Sequence, residues 1–366
     1  MASAFYMFTL ILLLLLLPFT TSAQHTICPF EAIYQLGDSI SDTGNLIREG
    51  PAGAMSYAAR FPYGETFFHR PTGRCSNGLL IIDYIAMALR LALVNPYLER
   101  GVSFDHGVNF AVAGSTALDA SFFSARNLHV PLSNSPLSTQ LNWFRTHLNS
   151  LCHTDQTDCG NNNRLERALV LVGEIGGNDY NYAFFQGKPI EEIRTYVPYV
   201  VGAITNAVRE VIGMGGIRIV VPGNFPIGCI PIYLTSFRNN DPRAYDDMGC
   251  LSGLNDFAML HNNYLQRALD GLRRDYPNVV ILYADYYTAF QSVLRFVASS
   301  LLKACCGIGG EYNFDGSRMC GSPGVPVCPN PANRIHWDGV HLTQEAYRHM
   351  ADWLTGDILS RIQCVW

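Results

Sequence analysis

Ala32-Ile33-Tyr34-Gln35-Leu36-Gly37-Asp38-Ser39 is a short apolar run that stops at a glycine and opens onto a polar turn. Five residues with almost no polar alternation suit a parallel strand covered on both faces, not a half-solvated antiparallel one. Ala168-Leu169-Val170-Leu171-Val172, Ile217-Arg218-Ile219-Val220-Val221 and Val279-Val280-Ile281-Leu282-Tyr283 predict three further strands of the same kind, and Val108-Asn109-Phe110-Ala111-Val112 a shorter fifth. Between them, apolar residues at three- and four-residue spacing predict helices over 79–93, 137–151, 190–212, 254–274 and 343–362. Strands alternating with helices build an α/β fold, a parallel sheet with helices on both faces. Such sheets bind ligands at the carboxyl ends of their strands, so any chemistry is expected just after these runs.

The chain has 366 residues, 48% of them hydrophobic and 15% charged, with 25 Lys plus Arg against 30 Asp plus Glu. A net charge of −5 excludes a basic nucleic-acid footprint and leaves no polybasic membrane patch. No repeat, charge block or low-complexity linker divides residues 24–366, which read as a single domain. Residues 10–17 are an unbroken Leu/Ile run ended by Pro18 and followed by Thr20-Thr21-Ser22-Ala23. A spanning helix needs about 20 apolar residues. The shorter run fits a secretory signal peptide over 1–23, although no Lys or Arg precedes it, and no stable membrane insertion is expected afterwards.

Secretion makes sense of 11 cysteines: in an oxidising compartment most should pair, and an odd total leaves at least one thiol over. Cys152 and Cys159 flank a polar loop and suit a local bridge. Zinc is the rival use for Cys305, Cys306, Cys320 and Cys328, but no C-x-x-C or Cys/His pair stands at ligand spacing, so no metal is expected. There is no Asn-x-Ser/Thr acceptor, so N-glycans are not expected either.

Four segments carry candidate chemistry. Ser39 follows the first strand in Gly37-Asp38-Ser39-Ile40-Ser41-Asp42-Thr43-Gly44-Asn45, a turn that alone would be unremarkable and is not the G-x-S-x-G elbow. Near the other end, Trp337-Asp338-Gly339-Val340-His341-Leu342-Thr343 sets Asp338 and His341 three apart, before a helix that Thr343 caps. A serine nucleophile needs a base for its proton and a third group to fix that base's tautomer; His341 and Asp338 supply both. Gly173-Glu174-Ile175-Gly176-Gly177-Asn178-Asp179 brings Asn178 to the same sheet edge, and Asn109-Phe110-Ala111-Val112-Ala113-Gly114-Ser115 brings Gly114. Donors aimed at a developing oxyanion are worth about 10²–10³ in rate each. Neither glycine cluster fits a nucleotide-binding pattern.

With these blocks, and with Phe61-Pro62-Tyr63-Gly64-Glu65-Thr66-Phe67-Phe68, Pro71-Thr72-Gly73-Arg74, Gly223-Asn224-Phe225-Pro226-Ile227-Gly228-Cys229 and Tyr283-Ala284-Asp285-Tyr286-Tyr287, the chain resembles the plant GDSL esterase/lipase family of the SGNH hydrolase superfamily. It is most similar to the branch that contains sinapine esterase and acetylajmalan esterase. The resemblance implies a three-layer α/β/α sandwich around five parallel strands, flavodoxin-like in type, which agrees with the strands read above. It implies Ser39 as nucleophile, His341 as base beside Asp338, and an oxyanion hole made of the Ser39 and Gly114 backbone N–H groups and the Asn178 side chain, with no cofactor. Cys75 stands where the family usually has an aromatic residue and is the candidate unpaired thiol; Leu79 replaces a common Arg.

The expectation is a secreted serine esterase, in the cell wall or the vacuole, that cleaves a small acetyl or aromatic-acyl ester through an acyl-enzyme. An acyltransferase passing the acyl group to an alcohol is the alternative, as is a lipase with an apolar rim at Phe67-Phe68 or Phe122-Phe123, although core packing is the commoner use of such pairs.

Overall fold

The computed structural model describes residues 30–152, 163–296 and 302–362. The expected leader over 1–23 and the Cys152–Cys159 pairing lie outside them. Strands β1 (Ala32–Leu36), β2 (Gly107–Asn109), β3 (Ala168–Val172), β4 (Arg218–Pro222) and β5 (Val280–Ala284) form one sheet in the order β2-β1-β3-β4-β5. Every neighbouring pair is parallel, with Tyr34 opposite Val108 on one side and Val170 on the other. β1 and β3 are buried along their whole length, which is why they read as unbroken apolar runs.

The principal helices are α1 (Ile81–Ala88), α2 (Leu137–Cys152), α3 (Gly177–Phe185), α4 (Val197–Gly213), α5 (Pro231–Ser236), α6 (Ser252–Asp275), α7 (Tyr286–Phe296) and α8 (Gln344–Arg361). α2, α4 and α6 pack side by side as one layer, and α1, α8 and α7 as the other. The fold is therefore the α/β sandwich expected. Its strand order turns back between β1 and β3, and in doubly wound sheets the crevice at that reversal is where ligands bind.

Three expected boundaries move, each for a local reason. The helix expected over 190–212 is two, Ile190–Arg194 and α4, because Pro198 sits in the first turn of α4 and has no N–H to bond back to Arg194. The helix expected over 79–93 ends at Ala88: Arg90 turns left-handed at φ 59°, and the N–H groups of Arg90 and Leu91 bond the carbonyls of Met87 and Ala86, a Schellman stop. β2 ends at Asn109, because the Asn109 side chain folds back to accept from Ala111 N and to donate to Ser41 O, turning the chain into the site.

Two features hold the frame around this crevice. Arg74 makes a bidentate pair with Asp83 (2.8 Å at both contacts), buried on both sides, and Asp83 also accepts from Leu80 N at the start of α1. Disulfides join Cys229 to Cys250, Cys305 to Cys328 and Cys306 to Cys320, so the zinc alternative for the last four falls away. The Cys305 and Cys306 N–H groups bond the carbonyls of His336 and Trp337, which fastens this double staple directly beneath the segment carrying Asp338 and His341. Cys75 is free and buried.

Candidate active site

The Gly37–Asn45 turn is shaped from its own sequence. Asp42 accepts four backbone N–H groups, those of Gly44 (2.7 Å), Asn45 (2.6 Å), Leu46 (3.0 Å) and Ala113 (2.8 Å). Asn45 donates to the carbonyls of Asn109 and Ala111, both at 2.8 Å, which ties the turn after β1 to the chain leaving β2. From α2, Gln140 clasps both the N–H and the carbonyl of Gly37 at 2.8 Å. Gly37 has to be glycine, since a Cβ there would lie 2.9 Å from the Glu174 carbonyl oxygen. Ser39 is thus held at the carboxyl end of β1, partly open to solvent.

His341 meets Ser39 from the far end of the chain, with Nε2 2.8 Å from the Ser39 Oγ. Its Nδ1 lies 2.8 Å from Asp338 Oδ2. Asp338 is saturated: Oδ1 accepts from the backbone N–H of Val340 (2.9 Å) and His341 (2.7 Å), and Oδ2 accepts also from the Tyr63 hydroxyl (2.7 Å). With Nδ1 donating to a carboxylate, the Nε2 lone pair faces the hydroxyl. Burial opposes the imidazolium, but the Asp338 carboxylate and the hydrogen bond to it work the other way, and the pKa of His341 stands well above 6.5. Burial also works against the Asp338 carboxylate, yet His341 and the donors around it hold its pKa down to about 2.

Across the β1–β3 crevice, Gly114 takes φ 84°, a left-handed conformation in which a side chain would also strike Leu132. The Tyr182 hydroxyl donates to its carbonyl at 2.7 Å. Among the described residues, the backbone N–H groups of Ser39 and Gly114 have no hydrogen-bond partner. Asn178, in the first turn of α3, gives both hydrogens of Nδ2 away, to Asp38 Oδ2 and to the Ser115 carbonyl, each at 3.0 Å. Its Oδ1 accepts from Asn181 (3.3 Å), and Asn181 accepts in turn from the Tyr233 hydroxyl on α5. The arrangement offers a hydroxyl with a base beside it, and N–H donors across the crevice for a developing negative charge.

A family model, the GDSL-like lipase/acylhydrolase, matches residues 33–354, nearly the whole described chain. The chain belongs to this family. Among curated relatives of this GDSL hydrolase, acetylajmalan esterase 1 of Rauvolfia serpentina is 52% identical over 363 residues, covering 98% of this chain and 94% of the relative. A second acetylajmalan esterase of the same plant is 54% identical over 358 residues, covering 95% and 91%. A GDSL esterase/lipase of Arabidopsis thaliana is 55% identical over 340 residues, 92% of each chain. This GDSL hydrolase is a carboxylic ester hydrolase, and its substrate is a small-molecule ester.

All five residues singled out in the sequence converge on one crevice: Ser39, Asp338 and His341 on one side, Gly114 and Asn178 on the other. Several supporting groups carried no such signal. Tyr63 sits inside the Phe61–Phe68 block without any local mark that it reaches Asp338, 275 residues away. Glu174, Gln140 and Tyr233 are likewise silent, because their partners are distant in sequence. The aromatic pairs divide: Phe123 is core, Phe122 lies under the Arg126 guanidinium at 3.6 Å, Phe68 lies under Arg74, and Phe67 is 46% exposed. Among the described residues, no helix is long and apolar enough to cross a membrane.

Proposed function

We propose that this GDSL hydrolase cleaves its ester in two steps through an acyl-enzyme on Ser39. His341 takes the Ser39 proton as Oγ attacks the carbonyl carbon, and Asp338 stabilises the imidazolium that forms. The tetrahedral oxyanion is met by the N–H groups of Ser39 and Gly114 and by Asn178. His341 then returns the proton to the leaving alcohol. Water repeats the sequence on the acyl-enzyme and releases the acid. The observation that carries this reading is the 2.8 Å Ser39–His341 contact, backed by a fully bonded Asp338, facing two backbone donors that have nothing else to bond.

We infer that the substrate is a small acetyl or aromatic-acyl ester of a plant specialised metabolite, a reading whose acetyl case is supported by the acetylajmalan esterase relatives. Three disulfides among the described residues support a protein made for an oxidising compartment, and hence a secreted one whose residues 1–23 are a leader ahead of a single domain. Acid release from acetyl, hydroxycinnamoyl and long-chain esters, with and without an acceptor alcohol, tests the proposal. Wild type should release acid from the short or aromatic esters and Ser39→Ala should not. A new ester formed in preference to acid would make the enzyme a transferase, and equal release by both proteins would exclude Ser39.

A further inference from the structure

Next to Ser39 lies a group that the two-step reaction does not use. Glu174 is 3% exposed, Asp38 N–H donates to its backbone carbonyl at 3.2 Å, and its carboxyl interacts with the equally buried carboxyl of Asp38. Two carboxylates in contact in a dry site cannot both be ionised, so one proton lies between them. Its place follows from the surroundings. Burial raises Asp38 too, to about 7, but its Oδ1 accepts from Ile40 N and its Oδ2 from Asn178 Nδ2, both at 3.0 Å, so of the two carboxyls Asp38 is the one on which charge is stabilised. Glu174 Oε1 is buried without a partner, and Asp179 adds a further repulsive carboxylate. Burial first, then the Asp38 charge, push Glu174 well above the usual carboxylate range. The remaining titratable groups that bear on it are the phenols Tyr180 on α3, Tyr233 on α5 and Tyr286 on α7, and burial keeps all three neutral by raising their pKa.

Asn178 is the residue this pair touches. Its orientation is dictated by its partners: Asp38 Oδ2 and the Ser115 carbonyl are both acceptors, so Nδ2 has to face them. We propose that Glu174 is a positioning residue for the oxyanion donor: its carboxyl donates to Asp38, and Asp38 tethers Asn178 through one amide hydrogen while the other leaves Ser115 for the substrate oxygen. An ionised or absent Glu174 would free Asp38 from its partner and leave Asn178 without a fixed acceptor, in the step where misplacement costs most. The inference rests on the proposed roles of Ser39 and Asn178.

The test compares Glu174→Gln, whose amide still donates to Asp38, with Glu174→Met, of similar length and unable to donate. Glu174→Met should lower kcat at least about tenfold with KM within about threefold, and Glu174→Gln should recover most of that loss. Repeated in an Asn178→Ala background, the difference between the two should shrink to less than about twofold, because the effect passes through Asn178. If Glu174→Met does not fold, Glu174→Ala takes its place in the same comparison with Glu174→Gln, in wild type and in the Asn178→Ala background, with the same gap expected. Equal kcat for Met and Gln variants, or a gap that persists without Asn178, overturns the inference. Ser39→Ala assayed alongside separates the two levels: if it keeps wild-type turnover the reading of the site itself falls, whereas an inactive Ser39→Ala beside a fully active Glu174→Met removes this inference alone.

Discussion

The hydroxyl of Ser39 and the Nε2 of His341 lie 2.8 Å apart although 302 residues separate them in the chain. Two local structures meet to make that contact. One is the Asp42-organised turn after β1, the other the disulfide-backed segment before α8. The distance between them is set by the sheet and by the staple at Cys305 and Cys306.

Asp338 touches His341 and Tyr63 but not the reacting atoms, so its removal should act on the imidazole. Asp338→Asn is expected to lower kcat by on the order of 10³–10⁴ with a smaller change in KM, because the amide cannot stabilise the imidazolium. Tyr63→Phe, which removes one of the four bonds to Asp338, should lose far less. Steady-state kinetics of the two variants give the ranking.

The raised pKa of His341 fixes the sign of the pH dependence. Below that pKa the ring is protonated and cannot accept from Ser39, so kcat/KM should fall as pH drops through a midpoint above 6.5. In Asp338→Asn the largest remaining influence is burial, which disfavours the cation, so the residual activity should show its acid limb at lower pH. A profile from about pH 5 to about pH 10 for both proteins reads the shift.

Asn178→Ala should cost about 10²–10³ in kcat while leaving KM within a few-fold, the signature of a donor used in the transition state. Gly114→Ala should lose activity for a different reason. Its φ of 84° and the closeness of Leu132 force the loop to move, so a fall in melting temperature should accompany the lost turnover.

The Arg74–Asp83 pair is buried, with side-chain exposures of 7% and 0%, and breaking it strands a charge. Arg74→Ala is expected to destabilise the protein by about 3–5 kcal/mol. Arg74→Lys should not rescue it fully, because an ammonium cannot reproduce the two-pronged contact. Chemical denaturation midpoints measure both.

The strands, the sheet class and all five residues of the crevice were legible because each sits beside a local signal: an apolar run, a glycine after a strand, or an Asp-His pair before a helix cap. Where the reading failed, the cause was also local but weaker in sequence. Pro198 breaks a helical pattern that apolar spacing alone carries straight through, and Arg90 makes a left-handed stop without glycine. The supporting groups were not legible at all. Tyr63 at Asp338, Gln140 at Gly37 and Glu174 at Asp38 acquire meaning only when the sheet brings distant segments together.

Peptide mapping after treatment with a fluorophosphonate tests the central claim most directly, since the reagent is attacked by an activated serine and stays bound. The account predicts a single label, on the peptide that contains Ser39, rising in step with the loss of esterase activity and missing from Ser39→Ala. Full inactivation with the label on another residue would contradict it.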